Sequence, residues 1–120
     1  MIDLIRSMRG GFASTKVILT RTAVAIAAAG TDFDTALTVT GSRATRYILE
    51  LPDYTTGSPT TTLSIIDANS VTVFTGAAHA ENAKYSIPID VELVGTYTLR
   101  LTLSGVAGGA TTANLTVLGV

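Results

Sequence analysis

The sequence predicts an all-β domain: an antiparallel β-sandwich of about eight short strands behind an N-terminal arm. Three observations carry this expectation. In "GTYTLRLTLSG", residues 95 to 105, Tyr97, Leu99, Leu101 and Leu103 alternate with Thr96, Thr98, Arg100, Thr102 and Ser104, the period of a half-buried strand. Threonine, valine and isoleucine, which suit a pleated surface, fill this and similar runs. Turn signals recur at intervals of roughly ten residues, as in sandwiches and barrels. Jelly-roll and immunoglobulin-like connectivities fit equally. A length of 120 residues makes one domain, divided into an arm at 1–14 and a sandwich at 15–120.

The arm reads "MIDLIRSMRGGFAST". Ile2, Ile5 and Met8, with Leu4, line one side of a short helical turn that Gly10-Gly11 breaks. So short a helix is marginal in water and needs support from its own sandwich or from a neighbouring subunit. These four apolar residues are therefore candidate partner contacts.

"KVILT" is strand-like, and "TAVAIAAA" reads as strand or short helix, with strand favoured by its length and by Gly30. "FDTALTVT" places Ala36 and Thr38 on one side, Leu37 and Val39 on the other, and Gly41 ends it. "TRYILEL" groups Tyr47, Leu49 and Leu51 before Pro52. "PDYTTGSPTTT" is a loop by composition, with Tyr54 the best-placed exposed aromatic. "TTLSII" and "SVTVFT" form a hairpin around Asp-Ala-Asn-Ser, with Leu63, Ile65, Val71 and Val73 facing inward. "GAAHAENAK" is a connector with room for one helical turn. "YSIPID" groups Tyr85, Ile87 and Ile89, and Pro88 on the opposite face marks an edge strand. The last two runs, "GTYTLRLTLSG" and "ANLTVLGV", read as a C-terminal hairpin around a glycine-rich loop.

Only 14% of residues are charged, against about 25% in ordinary soluble domains. A free-standing small domain uses charges of both signs to stay in solution. The deficit predicts that part of the surface is covered by other subunits. Net charge is -1, which offers no field to nucleic acid or an anionic membrane. The longest apolar run, Ala23 to Ala29, falls short of the ~20 residues that span a bilayer. Lys16 and Arg21 interrupt what would be the apolar region of a signal peptide. The absence of cysteine suits assembly in a reducing cytoplasm.

Chemistry-bearing constellations are missing. The one histidine, His79, reads as a solvated or capping loop residue, and no G-x-S-x-G elbow accompanies the serines. Asp32 with Asp34, and Asp90 with Glu92, form same-face pairs, but no calcium loop follows either; they read as solvated charges at strand ends. "GGFASTK" lacks the phosphate-loop pattern, and the "NLT" sequon at 114–116 sits in an expected strand. Aromatic content is 6% without tryptophan, and Tyr47, Tyr85 and Tyr97 share faces with leucine or isoleucine. Arg43 and Arg46 are the closest basic pair in the body, so no nucleic-acid patch appears. The expectation is a protein with no catalytic residue, cofactor or metal.

The outward row Thr96, Thr98, Arg100 and Thr102 is the second set of candidate partner contacts. Threonine loses little side-chain entropy when covered, and it costs less to desolvate than lysine or glutamate.

Residues 62–109, "TLSIIDANSVTVFTGAAHAENAKYSIPIDVELVGTYTLRLTLSGVAGG", resemble small proteins encoded among tailed-phage virion genes. The shared features are the D-x-N hairpin, the "GAAHAEN" connector, the "IPI" strand and the "GTYTLRLTLSG" strand leading to a glycine-rich loop. The resemblance implies a structural protein of the virion, of the β-sandwich kind that decorates or cements capsids. Such proteins bind the major capsid protein or other virion proteins, commonly as trimers, and carry no catalytic residues. Two other readings stay open. One is a tail, baseplate or fibre-associated module; the other is a receptor- or carbohydrate-binding module with a glycan site around Tyr54 and the loop from Pro52 to Pro59.

Overall fold

β-Branched residues and alternating polarity give strands wherever the sequence predicts them, but the strands are fewer and longer. The computed structural model describes residues 15–27, 30–54 and 56–120. The six strands among them are β1 (Lys16–Ile26), β2 (Asp32–Leu51), β3 (Thr61–Asp67), β4 (Thr72–Thr75), β5 (Ala83–Leu103) and β6 (Thr111–Gly119). They form one antiparallel sheet in the order β1-β6-β2-β5-β3-β4, and no helix occurs among the described residues. The expected arm at 1–14 lies outside the described residues.

Three expected breaks are continuous strand. "KVILT" and "TAVAI" join as β1, "FDTALTVT" and "TRYILEL" as β2, and "YSIPID" and "GTYTLRLTL" as β5. The reason is the β-bulge, in which one extra residue bends a strand without ending it. Register shifts fall between Val39 and Ser42 and between Ala44 and Arg46 of β2. Gly41 and Gly95 sit at this bend with φ of 156° and 104°. Glycine's freedom at positive φ thus makes a kink here rather than a stop. The Tyr97 hydroxyl closes the β5 side, accepting from Val94 N–H at 2.8 Å and donating to Val94 C=O at 3.0 Å.

The bend folds the sheet over its own inner face. Tyr47 pairs in register with Ile87, while Phe74 pairs with Ile65 and Ile65 with Leu99. The stretch of β5 from Ile87 to Leu99 would span about 40 Å if straight. Yet the Tyr47 and Phe74 rings meet edge-on with centroids 6.2 Å apart. The long β2–β5 ribbon has therefore doubled back, and its two halves enclose the core between them. One half joins the C-terminal part of β2 and the N-terminal part of β5 to β1 and β6. The other joins the remaining parts of β2 and β5 to β3 and β4.

The expected inward rows hold. Tyr47, Leu49, Leu63, Ile65, Leu93, Leu99, Leu101, Leu115 and Val117 are fully buried. Each such aliphatic side chain contributes about 1.5–3 kcal/mol on leaving water. Two expectations are corrected. The C-terminal hairpin does not form: β5 is flanked by β2 and β3 along its C-terminal part, so β6 crosses over to lie between β1 and β2. Val71 and Val73 face outward and Phe74 inward, because Ile65 pairs with Phe74 and Ile66 with Thr72, leaving Val73 as a bulged residue. The hairpin turn itself follows the sequence reading: the Asp67 carboxylate accepts from the N–H groups of Asn69 and Val71, both at 2.9 Å.

Candidate docking face

The outward row of β5 becomes a face four strands wide once register is applied. Thr96 lies beside Thr38, Thr98 between Ala36 and Ile66, Arg100 between Asp34 and Ser64, and Thr102 between Asp32 and Thr62. Thr72 and Thr75 of β4 extend the rows of Ile66 and Ser64. The candidate contacts Thr96, Thr98, Arg100 and Thr102 thus form one row through the middle of this face. Val94, 63% exposed, continues that row toward the bend, and the exposed Val71 and Val73 border it at the hairpin. The other candidate contacts, Ile2, Leu4, Ile5 and Met8, lie outside the described residues.

The face carries three charged side chains, Asp32, Asp34 and Arg100, and each is hydrogen-bonded across strands. The Arg100 guanidinium donates to both Asp34 carboxylate oxygens, Nε at 2.8 Å and Nη2 at 3.1 Å, a planar fork. This hydrogen bond holds the Asp34 carboxyl below its usual range, with slight burial opposing it. Asp32 accepts from the Thr102 hydroxyl at 2.9 Å. The two aspartates expected as solvated strand-end charges are therefore partnered across strands. The rest of the surface is hydroxyl, methyl and one isoleucine.

The outer face of the other half differs. Arg21 forks onto Glu50 at 2.8 and 3.1 Å, and Lys84 lies opposite Glu50 in register. Arg43 reaches Asp90 at 2.6 Å and Glu92 at 3.7 Å, and Arg46 donates to Ser86 Oγ at 2.9 Å. The second acidic pair is thus also engaged by an arginine. These are exposed pairs of the kind that contribute little to stability.

Three strand edges are guarded among the described residues, while the Asp32–Val39 part of β2 pairs only with β5. β4 is only four residues long. The N-terminal part of β5 pairs only with β2 and carries Pro88, as the sequence predicts for an edge. β1 is broken by two bulges and carries Lys16 and Arg21.

Two aromatic-site expectations are overturned. Tyr54 is 5% exposed, not a loop platform; its hydroxyl pairs with Thr61 Oγ1 at 3.1 Å and its N–H donates to the Glu81 carboxylate at 2.8 Å. His79 is 7% exposed, not solvated. Its backbone exchanges two hydrogen bonds with Thr61, both 2.9 Å, which turns the ring inward to Tyr47 Oη at 2.6 Å. Burial pushes the His79 pKa down and those of Tyr47 and Tyr54 up. Local sequence gave no signal for these contacts, since each joins residues from separate strands or loops. Among the described residues no aromatic side chain is fully exposed, and no group of three or more acidic or histidine side chains could hold a metal.

No family model matches the chain, and no curated protein does. Solved structures do. A family 35 carbohydrate-binding module from Clostridium thermocellum aligns with a TM-score of 0.50 and 16% identity, covering 88% of this chain and 98% of the module. The likeness is one of fold. The carbohydrate-binding module CBM36, in complex with calcium and xylotriose, aligns at 0.44 and 12% identity over 88% of this chain and 98% of its own. The structure of infectious bursal disease virus, Gx strain, aligns at 0.44 and 12% identity, covering 89% of this chain but only 32% of the viral one.

Proposed function

We propose that this protein is a non-catalytic structural component of a tailed-phage virion, a decoration or cement protein bound to the major capsid subunits. We read the doubled-over sheet as a β-sandwich acting as a rigid spacer. One outer face docks and the other meets water. The protein works as a homo-oligomer, with a trimer favoured. The observation that carries the reading is the threonine face itself. It is broad, its only ion pair is closed on itself, and its small side chains lose little entropy when covered. Docking there strips little solvated charge beyond the Asp32 carboxylate, which keeps the Thr102 hydroxyl as a donor. The arm, residues 1–14, is the second contact element.

The carbohydrate-binding reading loses the feature that motivated it, because Tyr54 is buried. A glycan site of the stacking kind wants an exposed ring.

The test compares substitutions on the two outer faces. Thr98→Glu places an unpaired carboxylate in the docking face, and Ser86→Glu places one among existing charges. Occupancy is read by cryo-EM of particles assembled with each variant. Thr98→Glu empties the capsid sites and Ser86→Glu leaves them filled; deletion of residues 1–14 lowers occupancy. Full occupancy with Thr98→Glu refutes the docking face. Density on a tail or baseplate, with none on the capsid, transfers the protein to the tail.

A further inference from the structure

The chain's single histidine stands in a structural position that the docking face does not use. His79 lies midway along the connector between β4 and β5, which is anchored at separate points along its length. Gly76 N–H donates to Leu63 C=O at 2.8 Å, His79 and Thr61 exchange backbone bonds, and Asn82 N–H donates to Pro52 C=O at 2.9 Å. Side chains add three bonds among the described residues: the Tyr85 hydroxyl donates to Ala80 C=O at 2.8 Å, the Glu81 carboxylate accepts from Tyr54 N–H at 2.8 Å, and the His79 ring reaches Tyr47 Oη, the one of the three that turns on a titrating imidazole. Tyr47 is fully buried, and burial keeps its phenol protonated, so its O–H needs an acceptor. Neutral His79 provides one when Nε2 is bare and the proton sits on Nδ1.

We infer that His79 is an acid-sensitive latch: it pins the Gly76–Asn82 connector over the Tyr47 end of the core, and its protonation frees that connector while the sheet stays formed.

A proton on Nε2 turns the acceptor into a donor facing the Tyr47 hydroxyl, which then loses its acceptor. It also puts a cation in a site 7% exposed. The groups facing the ring are Tyr47 from β2, Tyr85 from β5 and, through Thr61 of β3, Tyr54. The Tyr85 ring stacks on His79 at 4.3 Å and 28°, a contact that favours the charged form. The nearest carboxylate in the connector, Glu81, accepts from Tyr54 N–H instead. Burial therefore prevails and holds the His79 pKa down. The sign follows. The latch is closed above the ordinary histidine value of about 6.5 and weakens as the pH falls below it, because the open connector takes the proton first.

The proposal stands apart from the virion reading and is tested on the isolated chain. Backbone hydrogen-exchange protection is measured between pH 8 and 5, with the ring protons of His79 followed by NMR. Protection at Thr61 and His79 falls below pH 6.5, by up to about tenfold for each pH unit separating the closed and open titrations. Amides in the β2–β5 ladder keep theirs. His79→Gln, which retains an acceptor for Tyr47 but does not titrate, abolishes the pH dependence. Unchanged protection in the native chain overturns the latch. So does a loss spread evenly over the sheet, or the same loss in His79→Gln.

Discussion

The two outer faces of this molecule rest on the same two long strands and cover the same core, yet their chemistry is opposite. The face built on Thr96, Thr98, Arg100 and Thr102 carries one closed ion pair and the Asp32 carboxylate among hydroxyls and methyls. The face built on Ser86, Glu50 and Arg46 gathers Arg21, Arg43, Lys84, Asp90 and Glu92. A charge content of 14% is therefore not a uniform dilution. It is the average of one ordinarily charged surface and one sparsely charged. Fold stability does not require such a division, since exposed positions of a sheet tolerate either chemistry. On the proposed reading, the asymmetry reflects what each surface meets.

If the difference is confined to the outside, the inside must not register it. Leu101 lies beneath the threonine face and Leu49 beneath the charged one, and both are fully buried. Leu101→Ala and Leu49→Ala should each cost about 2–5 kcal/mol in denaturant unfolding. A negligible loss for either would show that its half contributes little to the common core, and the two faces would no longer be two sides of one unit.

The bend that separates the faces is the next point of attack. A Cβ on Gly95 would meet nothing within 4 Å, so Gly95→Ala tests backbone conformation alone, at φ 104°. Its cost is about 1–3 kcal/mol. Gly119 has no such φ but is crowded: a Cβ there would collide with the Arg43 carbonyl oxygen and the Ile18 side chain. Gly119→Ala should cost a similar amount, about 1–3 kcal/mol, through overpacking against backbone that cannot turn aside. Equal stability of native protein and both variants in thermal melts would mean that the doubled ribbon has more slack than its register implies.

The sequence made the faces legible but not their extent. Alternation alone assigns Leu37, Val39, Leu99, Leu101, Leu115 and Val117 inward, because a strand's side-chain period does not depend on its neighbours. It also assigns the row from Thr96 to Thr102 outward. What joins Ala36, Thr62, Ser64 and Thr75 to that row is strand order, which local pattern does not encode. The "TTLSII" alternation already held Thr62 and Ser64 on one side, so part of the face could have been assembled from a correct pairing. Gly41 reads as a stop because glycine punctuates turns more often than it kinks a continuous strand. Val73 was misplaced by a bulge that shifts parity by one. His79 and Tyr54 were misread as surface residues because their partners, Tyr47 and Thr61, come from other strands.

The smallest expected effect on stability is the sharpest test of the comparison. Asp34 and Glu50 are both held below the usual carboxylate range by an arginine hydrogen bond, from Arg100 and Arg21 respectively. A carboxylate lowered on folding contributes stability that is present above its unfolded pKa and is lost as the pH falls through its folded value. Both pairs therefore act above about pH 4 and fade below it. Asp34 and Arg100 are 44% and 37% exposed in their side chains, so solvent screening keeps their share of the stability small. Asp34→Asn should flatten the acid limb of the stability curve slightly, as Glu50→Gln should. On docking the two must part. Asp34→Asn takes the forked carboxylate from Arg100 and leaves it only the through-space attraction of Asp32, so covering the guanidinium means stripping water it now relies on for hydrogen bonds. Glu50→Gln leaves Arg21 on a face that stays wet. Occupancy on the particle should fall with the first and hold with the second; equal behaviour would erase the distinction between the faces that the charge distribution draws.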